Sequence, residues 1–389
     1  MSKKLRFAFS RALNNIIVRE NVSRKKSSGK PGILIILRRP LGDSVIETPL
    51  LREIRRTFPN HYITLVCSHY NLYELCPYVD EVIPDNIGGR TPFIRTAWQC
   101  YRLIKKLSSK CNYELAIVPS LYMPNMIDAW LCYFSKAPHR VTFSERLSPN
   151  WHSWLKGAYD KCFTDVLDAK GLKHAVERER EMLAAIGGHM IDDHYELWTS
   201  DDDSRALDSM YDIPSGRNIV VNMSTNARSR EWPVENYIEL CTRLDNMFDV
   251  NFLLIGSGKN AQKYGDEFCK YFHNVYDFTN KTTVRQTIEV MRKAEIYVGG
   301  DTDPLHLASA LNMRGVGIFA MAKNCNDPIA DAARRLYPWH ADIKVLQPEK
   351  ALPGCESGCK KNYAHCIKQV TVDEVYNVMV DILQGESNR

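Results

Sequence analysis

The sequence contains no apolar run that approaches the roughly 18 residues needed for a membrane-spanning helix. Its first residues also lack a long apolar stretch and a small-residue cleavage site, so we expect no secretory signal and a cytoplasmic location. The composition excludes a disordered or fibrous chain, since 44% of the residues are apolar and 25% are charged. The length of 389 residues exceeds what one hydrophobic core usually serves, which predicts two domains.

Two familiar nucleotide-binding motifs are missing. No G-x-G-x-x-G follows the first predicted strand, which argues against a Rossmann dehydrogenase. The glycine-rich loop at residues 255–259 departs from G-x-x-x-x-G-K-[ST], because Asn260 stands where a hydroxyl should bind magnesium. The sequence therefore gives no support to a P-loop ATPase.

Most of the 12 cysteines follow no spacing pattern, and in a reducing compartment we interpret them as small buried apolar residues. The exception is the cluster Cys355, Cys359 and Cys366, near which Cys325 and His365 are candidates for a fourth ligand. Three thiols at this spacing could hold a structural zinc or iron ion. The alternative is that these thiols are reduced or disulfide-bonded.

The positive charge is concentrated in an N-terminal arm, defined as residues 1–30. The arm holds nine Lys or Arg and one Glu, so it carries +8 while the rest of the chain carries −3. Leu5, Phe9 and Leu13 recur in it at helical spacing. We predict that the arm binds an anionic membrane surface; the alternative is that it packs on the folded body. We expect no nucleic-acid partner.

From residue 31 onward, short apolar runs of the buried-strand type alternate with helical stretches. The first series covers residues 31–200, of which 145–200 are predicted to be helical, and the second covers residues 201–389. Strands are predicted at 33–37, 63–67, 81–83, 115–118, 140–143, 218–222, 251–255, 275–277, 296–298 and 316–319. The alternation predicts an α/β fold with two doubly wound, Rossmann-like domains that bind ligands in a cleft at the carboxyl ends of their strands.

The first candidate site is Gly42-Asp43, which follows the first predicted strand. We place these two residues in a strand-to-helix turn, where the carboxylate of Asp43 would act as a general base on a hydroxyl nucleophile. The alternative is that Asp43 only caps the helix that follows.

Two further segments predict an anion site. In residues 299–311, a strand and a glycine pair lead into a helix that starts near Pro304, with His306 in its first turn. Backbone N–H groups at such a helix start suit a pyrophosphate. In residues 222–235, Arg228 and Arg230 could clamp phosphate charge. An ordinary capped helix, a packed histidine and a solvated loop are the alternatives.

The order of these motifs resembles glycosyltransferase family 9, the bacterial heptosyltransferases. The opening strand with Leu41-Gly-Asp-Ser-Val-Ile-Glu-Thr-Pro-Leu-Leu51 resembles the start of the family, and His174-Ala-Val-Glu-Arg178 its H-x-x-E-R segment. Trp232-Pro233 is similar to the K-x-W-P loop, and Asp301-Thr302…His306-Leu-Ala308 to the D-T-G-x-x-H-L-A signature. The resemblance runs from residue 31 to about residue 385.

The resemblance implies a GT-B fold, inversion at the anomeric carbon, and no metal or other cofactor in catalysis. Asp43 matches the family's general base. The positions that match its nucleotide-sugar site are Thr225, Arg230, Asp301, Thr302 and His306. We also assign Arg38 and Arg39 to acceptor binding. Two residues depart from the family, since Arg230 replaces a lysine and Asp303 replaces the glycine of D-T-G, which brings a carboxylate toward the expected pyrophosphate position.

The implied reaction moves a heptose from ADP-heptose to inner-core lipopolysaccharide. The implied partners are an ADP-sugar donor, a lipopolysaccharide core or other glycan acceptor, and the inner face of the bacterial inner membrane, where the enzyme would be peripheral. One alternative is a family member that uses another acceptor, such as a protein, or another sugar nucleotide. A second alternative, which Asp303 motivates, is a non-catalytic protein that binds a sugar nucleotide or glycan.

Overall fold

The computed structural model describes residues 30–85, 87, 93–108, 111–119, 124–325, 332–358 and 361–386. These residues form two compact units. The N-terminal unit holds the described residues up to Pro40 together with Glu47–Asp193. The C-terminal unit holds Leu41–Ile46 together with the described residues from His194 onward. Except for Lys30, the predicted N-terminal arm lies outside the described residues.

The N-terminal unit is built on a parallel sheet in which six described strands have the order β3-β2-β1-β4-β5-β6. The central strand forms because its apolar run is buried on both faces, as parallel strands require. The strands are β1 Pro31–Leu37, β2 Tyr62–Cys67, β3 Glu81–Pro84, β4 Asn112–Val118, β5 His139–Phe143 and β6 Asp165–Leu167. The helices are α2 Thr48–Thr57, α3 Tyr70–Tyr73, α4 Phe93–Ser108, α5 Met126–Phe134, α6 Pro149–Leu155 and α7 Ala175–Ala185.

The C-terminal unit repeats this design with the strand order β12-β11-β10-β7-β8-β9. Its described strands are β7 Arg217–Asn222, β8 Val250–Leu254, β9 Val275–Asp277, β10 Ile296–Gly300, β11 Arg314–Ile318 and β12 Ile343–Leu346. Its helices are α1 Leu41–Ile46, α8 Asp201–Asp208, α9 Val234–Asp245, α10 Lys259–Phe268, α11 Val284–Arg292, α12 Asp303–Ala310, α13 Ala332–Arg335 and α14 Val372–Glu386. The predicted α/β class is confirmed.

The tryptophan of the W-P segment is part of the core of the C-terminal unit. Trp232 is 1% exposed, and its indole Nε1 donates a hydrogen bond of 2.8 Å to the carbonyl oxygen of Val370. Tyr237 packs edge-on against its ring at 4.8 Å. This segment therefore anchors the start of α9 to the residues that lead into α14, and it fixes the root of the loop that carries Arg230.

The prediction that residues 145–200 are helical is wrong for much of the segment. α6 and α7 are the α-helices there, β6 extends the sheet beside β5, and residues 186–199 are irregular. α7 ends because Gly187 takes a left-handed conformation (φ +85°) and its N–H bonds back to the carbonyl oxygen of Ala184. The short strands β6 and β12 were also not predicted.

Within the described ranges, no helix combines the length and the apolar character that crossing a bilayer requires.

Candidate functional site

Gly42 and Asp43 lie in the first turn of α1, at the junction of strand and helix where we predicted a strand-to-helix turn. The backbone N–H of Gly42 donates a hydrogen bond of 2.8 Å to Oδ1 of Asp303, at the start of α12. A Cβ on Gly42 would lie 2.5 Å from Cδ2 of His306, so a larger residue could not occupy this position without displacing the imidazole. The backbone of α1 at Gly42 thus packs against side chains of α12, and the glycine permits this close approach because it has no Cβ.

The carboxylate of Asp43 accepts no hydrogen bond from any residue that the structure describes, and its residue is half-buried. It does not cap a helix, because it lies inside α1 and the residue before α2 is Glu47. The negative charge of Asp43 acts to raise the pKa of His306. The geometry therefore leaves both oxygens of Asp43 available to an incoming hydroxyl.

His306 is 4% exposed, and its Nδ1 has no hydrogen-bond partner among the described residues. Burial lowers the pKa of His306 below its ordinary value, because the cation is poorly solvated. The carboxylates of Asp301, Asp43 and Asp303 act in the opposite direction without reversing the shift. The imidazole is consequently neutral at pH 7 and can offer a single N–H to an anion.

Arg230 lies beside Asp301 at the end of a short 3-10 turn, Arg228–Arg230. Its Nη1 is 3.2 Å from the carbonyl oxygen of Asp301 and 3.4 Å from Oδ2 of the same residue. The side chain of Asp301 is 7% exposed, whereas that of Arg230 is 39% exposed. The pair therefore holds the guanidinium in place but leaves part of it open to a ligand.

A polar network at the ends of β7 and β10 sets the positions of the two threonines that we predicted. Thr302 is the residue before α12, and its Oγ1 accepts a hydrogen bond of 2.7 Å from Nδ2 of Asn222. Thr225 uses its hydroxyl locally, because Oγ1 donates 2.7 Å to the carbonyl oxygen of Ala227 and accepts from the N–H of that residue. Both hydroxyls are fixed before any ligand arrives.

A cavity opens between these elements of the C-terminal unit. Its lining is Leu41, Asn222, Ser224, Thr225, Asn226, Gly256, Ser257, Thr282, Val284, Thr287, Thr302, Asp303, Pro304 and Leu307. Six small polar residues of this set were missed by the sequence analysis: Asn222, Ser224, Asn226, Ser257, Thr282 and Thr287. The available signal was their position, because each is at or shortly after the carboxyl end of a strand or near the next helix start.

Arg38 and Arg39 directly follow β1 and belong to the N-terminal unit. All three guanidinium nitrogens of Arg38 donate within the unit, to Asp85 (2.7 Å), Asp128 (2.5 Å) and the carbonyl oxygen of Ile87 (2.6 Å). Burial alone would lower the pKa of Arg38, but the two carboxylates raise it above its ordinary value. Arg39 lies 3.9 Å from Glu47 and is 10% exposed.

Two of the three clustered cysteines converge with a histidine. Nδ1 of His365 is 3.5 Å from Sγ of Cys355 and 3.6 Å from Sγ of Cys366, and both cysteines are buried. The three ligand atoms lie within 4.8 Å of one another. Cys359 lies outside the described residues, and Cys325 does not join the group.

Comparison with known proteins gives one consistent result. The model of glycosyltransferase family 9 (heptosyltransferase) matches residues 100–355. Lipopolysaccharide core heptosyltransferase OpsX of Haemophilus influenzae is 21% identical over 296 residues, which cover 75% of this chain and 79% of that protein.

Solved structures resemble the whole fold at low sequence identity. A family 9 glycosyl transferase from Veillonella parvula matches with a TM-score of 0.74 at 14% identity, over 93% of this chain and all of that one. The structure of E. coli heptosyltransferase WaaC with ADP matches with a TM-score of 0.66 at 16% sequence identity, over 90% of this chain and 99% of that one. A third match is the iron-containing heptosyltransferase TibC of enterotoxigenic E. coli, solved in complex with ADP-D-beta-D-heptose. Its TM-score is 0.52 at 11% sequence identity, over 95% of this chain and 83% of that one.

Proposed function

Because the chain belongs to glycosyltransferase family 9, we propose that it transfers a heptose from ADP-heptose to an inner-core lipopolysaccharide acceptor. It is a heptosyltransferase-like glycosyltransferase with the GT-B fold. The observation that carries the proposal is the grouping of Asp43, His306 and the polar cavity within one unit. This grouping supplies a base, a neutral donor and an anion-binding helix start.

In the proposed reaction, Asp43 takes the proton of the acceptor hydroxyl as its oxygen attacks the anomeric carbon of the donor. The bond from that carbon to the diphosphate oxygen breaks, and ADP leaves with the electron pair. The configuration inverts because attack and departure occur on opposite faces. A single base suffices, since the leaving diphosphate needs stabilisation and not a proton.

We assign the diphosphate to the start of α12. The start of this helix offers the backbone N–H of Asp303 and the positive end of the helix dipole, and the imidazole of His306 lies in its first turn. Pro304 has no N–H, and the N–H of Leu305 donates to the carbonyl oxygen of Thr302 at 3.0 Å. Arg230 contributes a positive charge that is fixed by Asp301 yet half-exposed. The small hydroxyl and amide side chains of the cavity suit the ribose and the phosphates. The similarity to WaaC, solved with ADP, supports an adenine nucleotide as the donor.

A donor panel tests the proposal. With a core oligosaccharide acceptor, we expect transfer from ADP-heptose and little from UDP-, GDP- or other ADP-sugars. Transfer from a different sugar nucleotide, or to a protein acceptor only, would support the alternative family member. Binding of ADP-heptose without any turnover would support a non-catalytic protein. The core oligosaccharide of a strain that lacks this chain identifies the acceptor independently.

Arg230→Gln should lower turnover about 100-fold, because the positive charge that faces the leaving diphosphate is lost. Arg228→Gln is the matched control: it lies two residues away in the same loop, is exposed, and should change turnover less than threefold. Steady-state kinetics with saturating donor measure both variants. Equal effects of the two substitutions would show that the loop contributes only a general positive field.

We further propose that Cys355, His365 and Cys366 hold a structural zinc or iron ion. A tetrahedral zinc with bonds of about 2.3 Å to sulfur and about 2.05 Å to nitrogen separates these atoms by about 3.6 Å. The distances of 3.5 and 3.6 Å match that separation. The N–H of Leu352 also points to Sγ of Cys366 at 3.5 Å, as N–H groups do around thiolate ligands. TibC, an iron-containing relative in fold, supports iron as one candidate.

A bound ion would cross-link Cys355 to His365 and Cys366 in the segment before α14, and it would take no part in sugar transfer. Elemental analysis of the purified protein should find about one zinc or iron ion per chain. Cys366→Ser should lose the ion and lower the melting temperature, whereas Cys241→Ser, at a buried cysteine outside the group, should keep it. A wild-type protein without metal whose thiols all react after unfolding would establish reduced cysteines instead.

The chain is also proposed to act at the inner face of the inner membrane, where a lipid-anchored acceptor is accessible. The basic arm at residues 1–30 remains the sequence-based prediction for this attachment.

A further inference from the structure

Helix α4 has two unlike faces. Cys100, Leu103 and Leu107 are buried in the core of the N-terminal unit. On the other side, Trp98 is 56% exposed and Tyr101 is 62% exposed. Large aromatic side chains are costly to leave in water, and here two of them stand one turn apart on one helix.

The exposed face is also strongly basic. Arg95, Arg102, Lys105 and Lys106 are exposed, and α4 contains no Asp or Glu. At 100° per residue, these cations and the two aromatics fall within an arc of about 140°, opposite the buried residues. Among the described residues, Glu81 approaches the face, and its carboxylate is 4.0 Å from Lys106. We call this surface, defined by the four cations with Trp98 and Tyr101, the aromatic–basic face.

The side chains of the face are arranged around the indole. The guanidinium of Arg102 lies 4.7 Å from the centre of the Trp98 ring, so the charge and the ring form one unit. The exposed Tyr271, by contrast, follows a helix that contains Asp266 and Glu267. The aromatic–basic face is therefore a distinct feature and not a sample of the ordinary surface.

This combination fits the interface of an anionic bilayer. Trp and Tyr prefer the headgroup level, where the ring is apolar on one side and hydrated on the other. Lys and Arg are attracted to anionic headgroups and extend along the surface. A protein partner fits less well, because lysine is depleted at the centre of protein–protein interfaces.

We propose that the aromatic–basic face of α4 docks the N-terminal unit on an anionic lipid surface, with the helix axis parallel to the membrane. The residues of this face are not those of the basic arm at residues 1–30. The inference deepens the proposed function, because a lipid-anchored acceptor lies at such a surface. Lipid binding and sugar transfer are nevertheless measured separately.

The test uses the full chain and sedimentation with phosphatidylcholine vesicles, with and without phosphatidylglycerol. The double variant Trp98→Ser/Tyr101→Ser should bind the anionic vesicles about tenfold more weakly, as should Arg102→Gln/Lys105→Gln. The matched control Tyr271→Ser/Lys270→Gln removes an exposed aromatic and a cation from the C-terminal unit and should bind like the wild type. Raising the salt concentration should weaken the wild type more than Arg102→Gln/Lys105→Gln.

The results separate the possible outcomes. If both α4 variants bind anionic vesicles like the wild type while remaining folded, the aromatic–basic face is not the docking surface, and any binding belongs to the arm or elsewhere. If the full chain ignores anionic vesicles at low salt, the proposal fails outright. Transfer from ADP-heptose to a soluble core oligosaccharide should be unchanged in the α4 variants. If the wild type itself does not transfer heptose to this acceptor, the proposed function is contradicted, but the conclusion from the vesicle experiment is unchanged.

Discussion

Asp43→Asn is expected to lower turnover by about two to four orders of magnitude, the range for loss of a general base. The amide is nearly isosteric, so α1 should keep its contact with α12 and the fold should be unaffected. Affinity for ADP should change little, because the carboxylate acts on the acceptor. Steady-state kinetics and calorimetric titration with ADP measure the two effects.

Asp208→Asn, at an exposed carboxylate of α8, is the control and should leave both quantities unchanged. Turnover of Asp43→Asn close to that of the wild type would exclude Asp43 as the base. Loss of ADP affinity in the same variant would place the carboxylate on the donor instead. Because Asp43 makes no hydrogen bond within the described part of the chain, an effect on turnover cannot be attributed to a broken internal contact.

Asp303→Ala should lower turnover by roughly 10- to 100-fold, because α1 loses the acceptor that holds the N–H of Gly42, and a shift of about 1 Å at a reacting group can cost that much. From the sequence, Asp303 only brings a carboxylate toward the expected pyrophosphate position and motivates the non-catalytic alternative. The structure gives it a partner, at 2.8 Å, next to the proposed base. Asp303→Asn should restore most of the turnover, since its amide oxygen can accept the same hydrogen bond.

The two variants of Asp303 distinguish the effect of the hydrogen bond that positions α1 from the effect of the negative charge of Asp303. Both remove an anion near the proposed diphosphate site, so both should keep or strengthen ADP binding. If Asp303→Asn is as slow as Asp303→Ala, the charge of Asp303 matters and not the hydrogen bond. Clearly weaker ADP binding in both would mean that Asp303 takes part in recognising the donor. Melting temperatures establish that each variant is folded.

Much of the fold follows from local sequence signals. β1 was predictable because the apolar run at residues 33–37 is short and rich in isoleucine, as buried parallel strands are. β6 was not, because its three residues are too few to show a strand pattern and are mostly exposed, and their strand exists through pairing with β5. The local sequence pattern predicted an element when the element's own side chains are buried. It did not predict an element that forms only because it pairs with a neighbouring strand.

The site divides in the same way. Arg230, Asp301 and His306 were predicted as site residues because each lies in a short motif that follows a strand. The bond between Gly42 and Asp303 spans 261 positions, and no local pattern links two such residues. The buried partners of Arg38, which are Asp85 and Asp128, were missed for the same reason.

The membership of α1 in the C-terminal unit has a consequence for synthesis. Leu41–Ile46 leaves the ribosome early, but Asp303 follows Gly42 by 261 positions. At about 5 to 20 residues per second, the segment that carries the proposed base waits roughly 13 to 52 seconds for its partner helix. During that time the strands of the N-terminal unit can pair without it. A fragment made of the C-terminal half alone would never receive this segment, and the imidazole of His306 would lose the glycine backbone that covers it.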